Sequence, residues 1–396
     1  MQESPHGNLR KRRHVTVVIK FIDKMKTRLF TLILLFFLNF TFAITSSVYD
    51  ADQSRITSSQ SITSNNGTLY VISCNNPINE NQTKQKVILT EYNSELRNTN
   101  VTHIRIPSEY IDKNFSVSFL KYIKNGIFCF LIKNSNNKES YVATYSVNTS
   151  KLSIISLKYN ENTKIDPDGI AVCDEKILVY GNLKSYYSMS QFSLDGKLLK
   201  QTIFRPKQDE IFLRPYLEII SSENIIVALP IITESKLETL VIKYSGNLQK
   251  QKEQIINGMV AGITYLKAES NILLITNSAR EIGKMSLNSI YLDKEFNKLK
   301  EIKLTSNLKG RSHDIGLLSS ENDLYLSYLS GPKLNLIIMN IKTCGLQKET
   351  YDLDGIADSI NGTCMLNGYP VFLLNFEIFA SKFDKYINDY YIIKPL

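Results

Sequence analysis

Asn66-Gly-Thr-Leu-Tyr-Val-Ile72 begins with a tight-turn dipeptide and runs straight into a short β-prone apolar segment. The same phrase returns along the whole chain. Its apolar part recurs as Leu69-Tyr-Val-Ile72, Ile127-Phe-Cys-Phe-Leu-Ile132, Ile177-Leu-Val-Tyr180, Ile225-Ile-Val-Ala-Leu229, Ile272-Leu-Leu-Ile275, Leu324-Tyr-Leu-Ser-Tyr328 and Val371-Phe-Leu-Leu374, at steps of 58, 50, 48, 47, 52 and 47 residues. The turn before it is Asn-Gly (Asn66-Gly67, Asn125-Gly126, Asn367-Gly368) or a Ser/Glu/Asn cluster (Glu223-Asn224, Ser270-Asn271, Glu321-Asn322-Asp323). Asn-Gly suits a two-residue hairpin because both central residues must take positive φ.

Each run therefore reads as one strand of a hairpin, and the constant step reads as a repeat. A polar turn followed by Leu152, Leu198, Leu248, Leu299 or Leu346 provides a second marker in the same rhythm. Between the two markers lie further alternating runs, such as Tyr141-Val-Ala-Thr-Tyr-Ser-Val147, Leu240-Val-Ile-Lys-Tyr244 and Leu334-Asn-Leu-Ile-Ile-Met339. Ahead of the first marker come others, such as Phe115-Ser-Val-Ser-Phe-Leu120, Ile170-Ala-Val172 and Leu217-Glu-Ile-Ile220. Four strands per unit and seven units predict an all-β, seven-bladed β-propeller over residues 44–396, with each quoted run second in its blade. A pair of β-sandwiches is the competing arrangement, but it does not require two markers to return in register. The first step of 58 residues is where a blade count would fail. In the last repeat Val371 to Asn375 and Glu377 to Lys382 read as two strands with almost no loop, so closure is expected to borrow a strand from Ser46 to Asp50, with Tyr390-Tyr391 in the last outer strand.

Blade three also carries Ile165-Asp-Pro-Asp-Gly-Ile-Ala-Val172, Ile177-Leu-Val-Tyr-Gly181 and Ser193-Leu-Asp-Gly-Lys197, which resemble the phrasing of NHL and YVTN-type propeller repeats. The resemblance implies the fold and carries over no functional residues. The chain has no Trp, and so lacks Trp-Asp blade endings.

The composition, 43% apolar and 21% charged over 396 residues, suits a large folded core. The net charge of +9 is unevenly spread. Arg10, Lys11, Arg12, Arg13, Lys20, Lys24, Lys26 and Arg28 face only Glu3 and Asp23 before residue 44, leaving 39 basic against 36 acidic residues in the rest. The propeller thus has no charge signature for nucleic acid. Leu29 to Ala43 is an apolar run of 15 residues, short of the roughly 20 needed to span a bilayer. Met25-Lys-Thr-Arg28 before it and Thr41-Phe-Ala43 at its end read as a secretory signal cleaved after Ala43, with Met25 as a possible true start. An uncleaved anchor is the alternative, and only then would a membrane be a partner. Either way the propeller is expected outside the cytosol, as a secreted or surface glycoprotein if the source is eukaryotic.

The sequons fall at Asn66, Asn81, Asn100, Asn114, Asn148 and Asn361. Of five cysteines, Cys344 and Cys364 are the expected disulfide pair, and Cys74, Cys129 and Cys173 read as small buried hydrophobes. No nucleophile elbow, phosphate loop, dinucleotide fingerprint or zinc motif is present.

Function is then expected where loops leading into the innermost strands converge near the axis. Those loops bring Asp112, Asp166, Asp168, Arg214, Arg311, His313, Asp314, Asp354 and Asp358. Asp168, Arg214, Arg311, His313 and Asp314 are candidates for an acid–base or anion site, and Asp112, Asp166, Asp168 and Asp358 for a Ca²⁺ site. Turn-making and strand-capping account better than a site for loop Asp residues such as those of Asp166-Pro-Asp-Gly169 and Asp354-Gly355. The leading expectation is a binding scaffold without cofactor that presents its axial face to a protein or glycan. The alternative is a propeller hydrolase or lyase using axial carboxylates and His313, with Ca²⁺ as a possible cofactor. His103, within Thr102-His-Ile-Arg-Ile106, reads as outer-strand decoration.

Overall fold

The computed structural model describes residues 43–47, 55–77, 86–112, 115–135, 138–160, 163–183, 186–205, 211–233, 236–278, 284–309, 315–353, 357–380 and 385–395. Their strands form seven four-stranded antiparallel blades in chain order. Blade 1 is Arg55–Asn65, Thr68–Pro77, Lys86–Tyr92 and Asn98–Ile104. Blade 2 is Phe115–Lys124, Ile127–Asn134, Ser140–Ser146 and Lys151–Ser156. Blade 3 is Asp166–Cys173, Lys176–Leu183, Tyr186–Ser193 and Leu198–Phe204. Blade 4 is Tyr216–Ser221, Asn224–Ile232, Leu237–Tyr244 and Lys250–Asn257, with the two-residue strand Ile211–Phe212 extending its sheet. Blade 5 is Met259–Leu266, Asn271–Asn277, Lys284–Leu292 and Lys298–Lys309. Blade 6 is Gly316–Ser319, Asp323–Leu329, Lys333–Asn340 and Leu346–Asp352. Blade 7 is Ala357–Leu366, Tyr369–Ala380, Lys385–Pro395 and, as its outermost strand, Ala43–Ser47.

All seven apolar runs quoted from the sequence are second strands, as the repeat predicts. They are buried on both faces: Leu69, Val71, Phe130, Leu131, Ile177, Ile226, Leu273 and Leu373 are at most 1% exposed. Each blade lies between two others, so both faces of its central strands meet apolar neighbours, which explains continuous apolar runs where a one-sided sheet would alternate. Seven apolar clusters fill the seven gaps, including one that joins Ile62, Leu69 and Val71 of blade 1 to Cys364, Val371 and Ile392 of blade 7. The first strands touch one another in ring order, so they are the innermost.

The three Asn-Gly hairpins have φ of 47° and 76° at Asn66-Gly67, 48° and 72° at Asn125-Gly126, and 51° and 82° at Asn367-Gly368, as a primed turn demands. The leucine marker, by contrast, is not one structural position. Leu198, Leu299 and Leu346 lie exposed on outer strands, whereas Leu248 sits in the preceding turn with φ of 55° and is buried.

Closure does borrow an N-terminal strand, three residues earlier than expected: Ala43–Ser47 pairs with Tyr391–Pro395. The predicted break near Phe376 is absent, because Tyr369–Ala380 runs unbroken and pairs from Phe372 to Ala380 with Ile393 to Lys385 of the next strand. Tyr390 and Tyr391 consequently lie in the third strand of blade 7, and the borrowed strand takes the outer place. Residues 1–42, which hold all of the expected signal except Ala43, are outside the described residues. Among the described residues no helix is long and apolar enough to cross a membrane.

The expected Cys344–Cys364 bridge is not formed, and all five cysteines are free. Cys364 is buried on the innermost strand of blade 7, whereas Cys344 occupies the turn before the outer strand of blade 6, beside Lys300. Their closeness in sequence hides a radial separation, inner against outer strand. Cys74, Cys129 and Cys173 are buried within their strands.

Candidate functional site

The innermost strand of blade 2 is irregular where it matters. Pairing with the second strand breaks between Ser118 and Lys121, and Phe119 takes φ of 56°. Positive φ in a bulky non-glycine residue is unfavourable, and bulges of this kind re-aim side chains. The turned strand is held from the neighbouring blade, since the Leu120 N–H donates to Ser61 Oγ at 2.9 Å. The Phe119 ring meets the guanidinium of Arg214, 5.2 Å from the ring centroid, on the approach to the innermost strand of blade 4.

Arg214 is solvent-exposed but not loose. Besides the Phe119 ring it hydrogen-bonds the Tyr180 hydroxyl and lies within electrostatic range of Tyr216. Burial raises the Tyr180 phenol above its ordinary range, and Arg214 works against that shift. Next to it Tyr187, 3% exposed, donates its hydroxyl to Asp168 Oδ2 at 2.7 Å. Asn182 Nδ2 donates to the same oxygen at 3.3 Å. Burial first, then the Asp168 charge and hydrogen bond, push the Tyr187 phenol far up, so it stays a neutral donor. Gly169 permits this packing: a Cβ there would stand 2.2 Å from Tyr180 Oη. The Asp-Pro-Asp-Gly phrase of blade 3 thus provides both a carboxylate and the bare backbone on which Tyr180 lies.

Among the sequence candidates, the structure brings Asp168 and Arg214 to one pair of tyrosines. Asp166 instead faces Lys133 at 3.2 Å. Asp112 follows the short helical turn Ser108–Tyr110, and its N–H donates to Asn134 Oδ1. Arg311, His313, Asp314 and Asp354 lie outside the described residues, as do Asn81 and Asn114. Asp358 is on the innermost strand of blade 7, with its side chain outside the described residues. Asn66, Asn100, Asn148 and Asn361 are exposed, and Asn148 Nδ2 donates to the Asn125 carbonyl. His103 is exposed on the outer strand of blade 1. Among the described residues no three His, Cys, Asp or Glu side chains converge.

The crevice beneath the tyrosines, lined by Tyr180, Tyr187, Met189, Phe204, Leu217 and Leu229, has about 10 Å³ of free space. That is at most one water, so the tyrosines stand on packed floor and a ligand would meet this face from above.

Two groups that the loop reading missed lie further along the axis. Glu218, on the innermost strand of blade 4, accepts from the Tyr265 N–H at 3.0 Å. Burial raises its carboxyl to about 7 against the pull of that bond and of Lys121 and Lys267. Lys121, just past the bulge, is open to water by surface area, yet desolvation lowers its ammonium pKa. A signal was present in the sequence: each is a lone charge in or beside an apolar run of an innermost strand.

No protein-family model matches the chain. No curated protein matches it in sequence either. Solved propellers do match it in fold. A structure from a study of two prolyl endopeptidases superposes with TM-score 0.50 at 12% identity, over 87% of this chain and 50% of that one. The Dos1 propeller gives 0.50 at 8%, over 88% and 93%. The propeller domain of the Trilobed protease from Pyrococcus furiosus, described as having an open velcro topology, gives 0.48 at 11%, over 87% and 98%. The chain spans about half the length of the prolyl endopeptidase and acylaminoacyl peptidase chains it matches. At these identities the likeness is one of fold.

Proposed function

We propose that the protein is an extracytoplasmic binding module that uses the axial face of blades 2 to 4 to hold a carboxylate-bearing polypeptide. The observation that carries this reading is the presentation of Arg214. Its guanidinium is exposed, lies against a ring aimed by a bulge, and is oriented by a tyrosine hydroxyl. A fixed planar fork of donors suits a carboxylate, and little side-chain freedom remains to be lost on binding. A glycan partner is less well supported, because among the described residues no ring at this spot is fully exposed: Tyr187 is buried, Tyr180 half-buried, and the half-buried Phe119 ring is covered by Arg214.

The hydrolase or lyase alternative calls for acid–base groups at the mouth itself. His313 and Asp314 lie outside the described residues, and Glu218 is four residues along the strand from Arg214, about 13 Å at 3.3 Å per residue. The apolar segment ending at Ala43 and the exposed sequons support secretion.

The test is fluorescence anisotropy with labelled decapeptides carrying four Glu or four Lys. The acidic peptide is expected to bind, and Arg214→Gln to weaken it at least tenfold, with Arg214→Lys failing to restore it because Lys lacks the fork. Equal binding of both peptides, or an Arg214→Gln variant that binds as well as the parent, would overturn the reading.

A further inference from the structure

We propose that Lys300 and Cys344 form an oxidative crosslinking site, in which hydrogen peroxide joins Cys344 Sγ to Lys300 Nζ as a sulfenamide and so staples the outer parts of blades 5 and 6. The site is remote in the fold from the Arg214 mouth, and its argument does not draw on the binding reading. Lys300 lies on the outer strand of blade 5, and Cys344 occupies the turn before the outer strand of blade 6. The two side chains nevertheless meet: Lys300 Nζ donates to Cys344 Sγ at 3.1 Å.

Both partners are held in place from below and behind. Lys300 is the cross-strand neighbour of Tyr291, and its Nζ stands 4.0 Å from the centroid of that fully buried ring. The Tyr291 hydroxyl donates in turn to Met339 Sδ of blade 6 at 3.7 Å, so the ring that positions the lysine is tied to the blade that carries the thiol. Cys344 takes φ of 58° in a turn closed by its own N–H to the Asn340 carbonyl at 2.8 Å and by the Asn340 N–H to the Gly345 carbonyl at 3.0 Å. Its thiol points to the Ile341 carbonyl, 3.9 Å away, which leaves the sulfur lone pairs for Lys300. Cys344 is half-buried and the other four thiols are buried in their strands, so the group within reach of an oxidised Cys344 is an amine and not a second thiol.

The chemistry balances in two steps. The Cys344 sulfur attacks one peroxide oxygen, the O–O bond breaks, and sulfenic acid and one water result, with sulfur oxidised by two electrons and peroxide reduced by two. A sulfenic acid condenses with a nitrogen placed beside it. The free-amine form of Lys300 attacks sulfur, the S–O bond breaks, and the hydroxyl leaves as a second water with one proton from the nitrogen. A lysine that begins as an ammonium first gives its surplus proton to solvent. The product carries an S–N bond and two hydrogen atoms fewer than the reduced chain.

The experiment treats the reduced, intact propeller with hydrogen peroxide at neutral pH, removes the excess with catalase, blocks remaining thiols with iodoacetamide and maps the unreduced digest by mass spectrometry. A Lys300–Cys344 linked peptide pair is expected, lighter by two hydrogen atoms than its two parts, with iodoacetamide labelling of Cys344 reduced at least tenfold and recovered on adding dithiothreitol. Lys298→Arg, which alters the neighbouring lysine paired with Glu301, should leave the link intact. Lys300→Arg keeps the positive charge but has no free amine, and should abolish the link and carry Cys344 on to sulfinic acid. The proposal is overturned if Cys344 of the parent chain stays unreacted, ends only as sulfinic or sulfonic acid, or forms a disulfide, and equally if a Cys344 link to nitrogen persists in Lys300→Arg.

Discussion

Replacing Glu218 by Gln should stabilise the protein at pH 8 and leave it nearly unchanged at pH 4.5. The carboxyl titrates at about 7 in the folded chain against 4.5 as its ordinary value. That difference corresponds to about 3 kcal/mol by which the fold disfavours the ionised form. Because the folded pKa is the raised one, the associated stability is fully present below pH 4.5, where both states are protonated. It is lost as pH rises to 7, since the unfolded chain ionises first, and above 7 the whole cost is carried. Gln has no such cost, and its side-chain oxygen can still accept the Tyr265 N–H bond now made at 3.0 Å. Some of the gain is offset because Lys121 and Lys267 lose a nearby negative charge. For a domain of roughly 350 residues, about 3 kcal/mol corresponds to a rise of about 4 °C in Tm. Thermal unfolding of both proteins at pH 4.5 and pH 8 measures this directly. If the variant melts no higher than the parent at pH 8, or if the gap is the same at both pH values, Glu218 is not desolvated in the axis.

Gly169→Ala would force Tyr180 off the blade 3 backbone, since the new Cβ would stand 2.4 Å from its ring carbon Cζ; a loss of about 1–3 kcal/mol is expected, with weaker acidic-peptide binding as Arg214 loses its anchor. Phe296, in a turn at φ of 63° and fully buried, should cost about 3–5 kcal/mol on truncation to Ala, read by urea unfolding, whereas a mere surface-loop residue would cost almost nothing. In the native protein iodoacetamide should label Cys344 first and the four buried thiols only after unfolding; a Cys344 that resists labelling until reductant is added would restore the bridge. Starting the chain after Ser47 should strip blade 7 of its outer strand, lowering Tm and exposing the Tyr391–Pro395 edge to aggregation, as seen by light scattering.

The blade count was legible because second strands are buried on both faces and so write an unbroken apolar run into every repeat. The outer strands were legible only as a rhythm. Leu248 fills the core from a turn while Leu299 lies 54% exposed on an edge, and a leucine after a polar turn looks alike in both cases. The candidate site divides in the same way. Arg214 could be found by asking which loops lead into innermost strands, and Asp168, which the structure places in the first residues of such a strand, by the same question, because it depends on topology alone. Phe119, Tyr180 and Tyr187 could not, since their roles depend on a bulge and on a ring lying over a glycine, neither of which leaves a periodic trace. Glu218 and Lys121 were visible as charges that break apolar innermost runs. A charge at such a position faces either a blade interface, where desolvation would be severe, or the axis, where water remains. Lys121 is exposed on its innermost strand, as the second case requires. In a radial array a lone charge on an innermost strand is therefore the feature to look for near the axis.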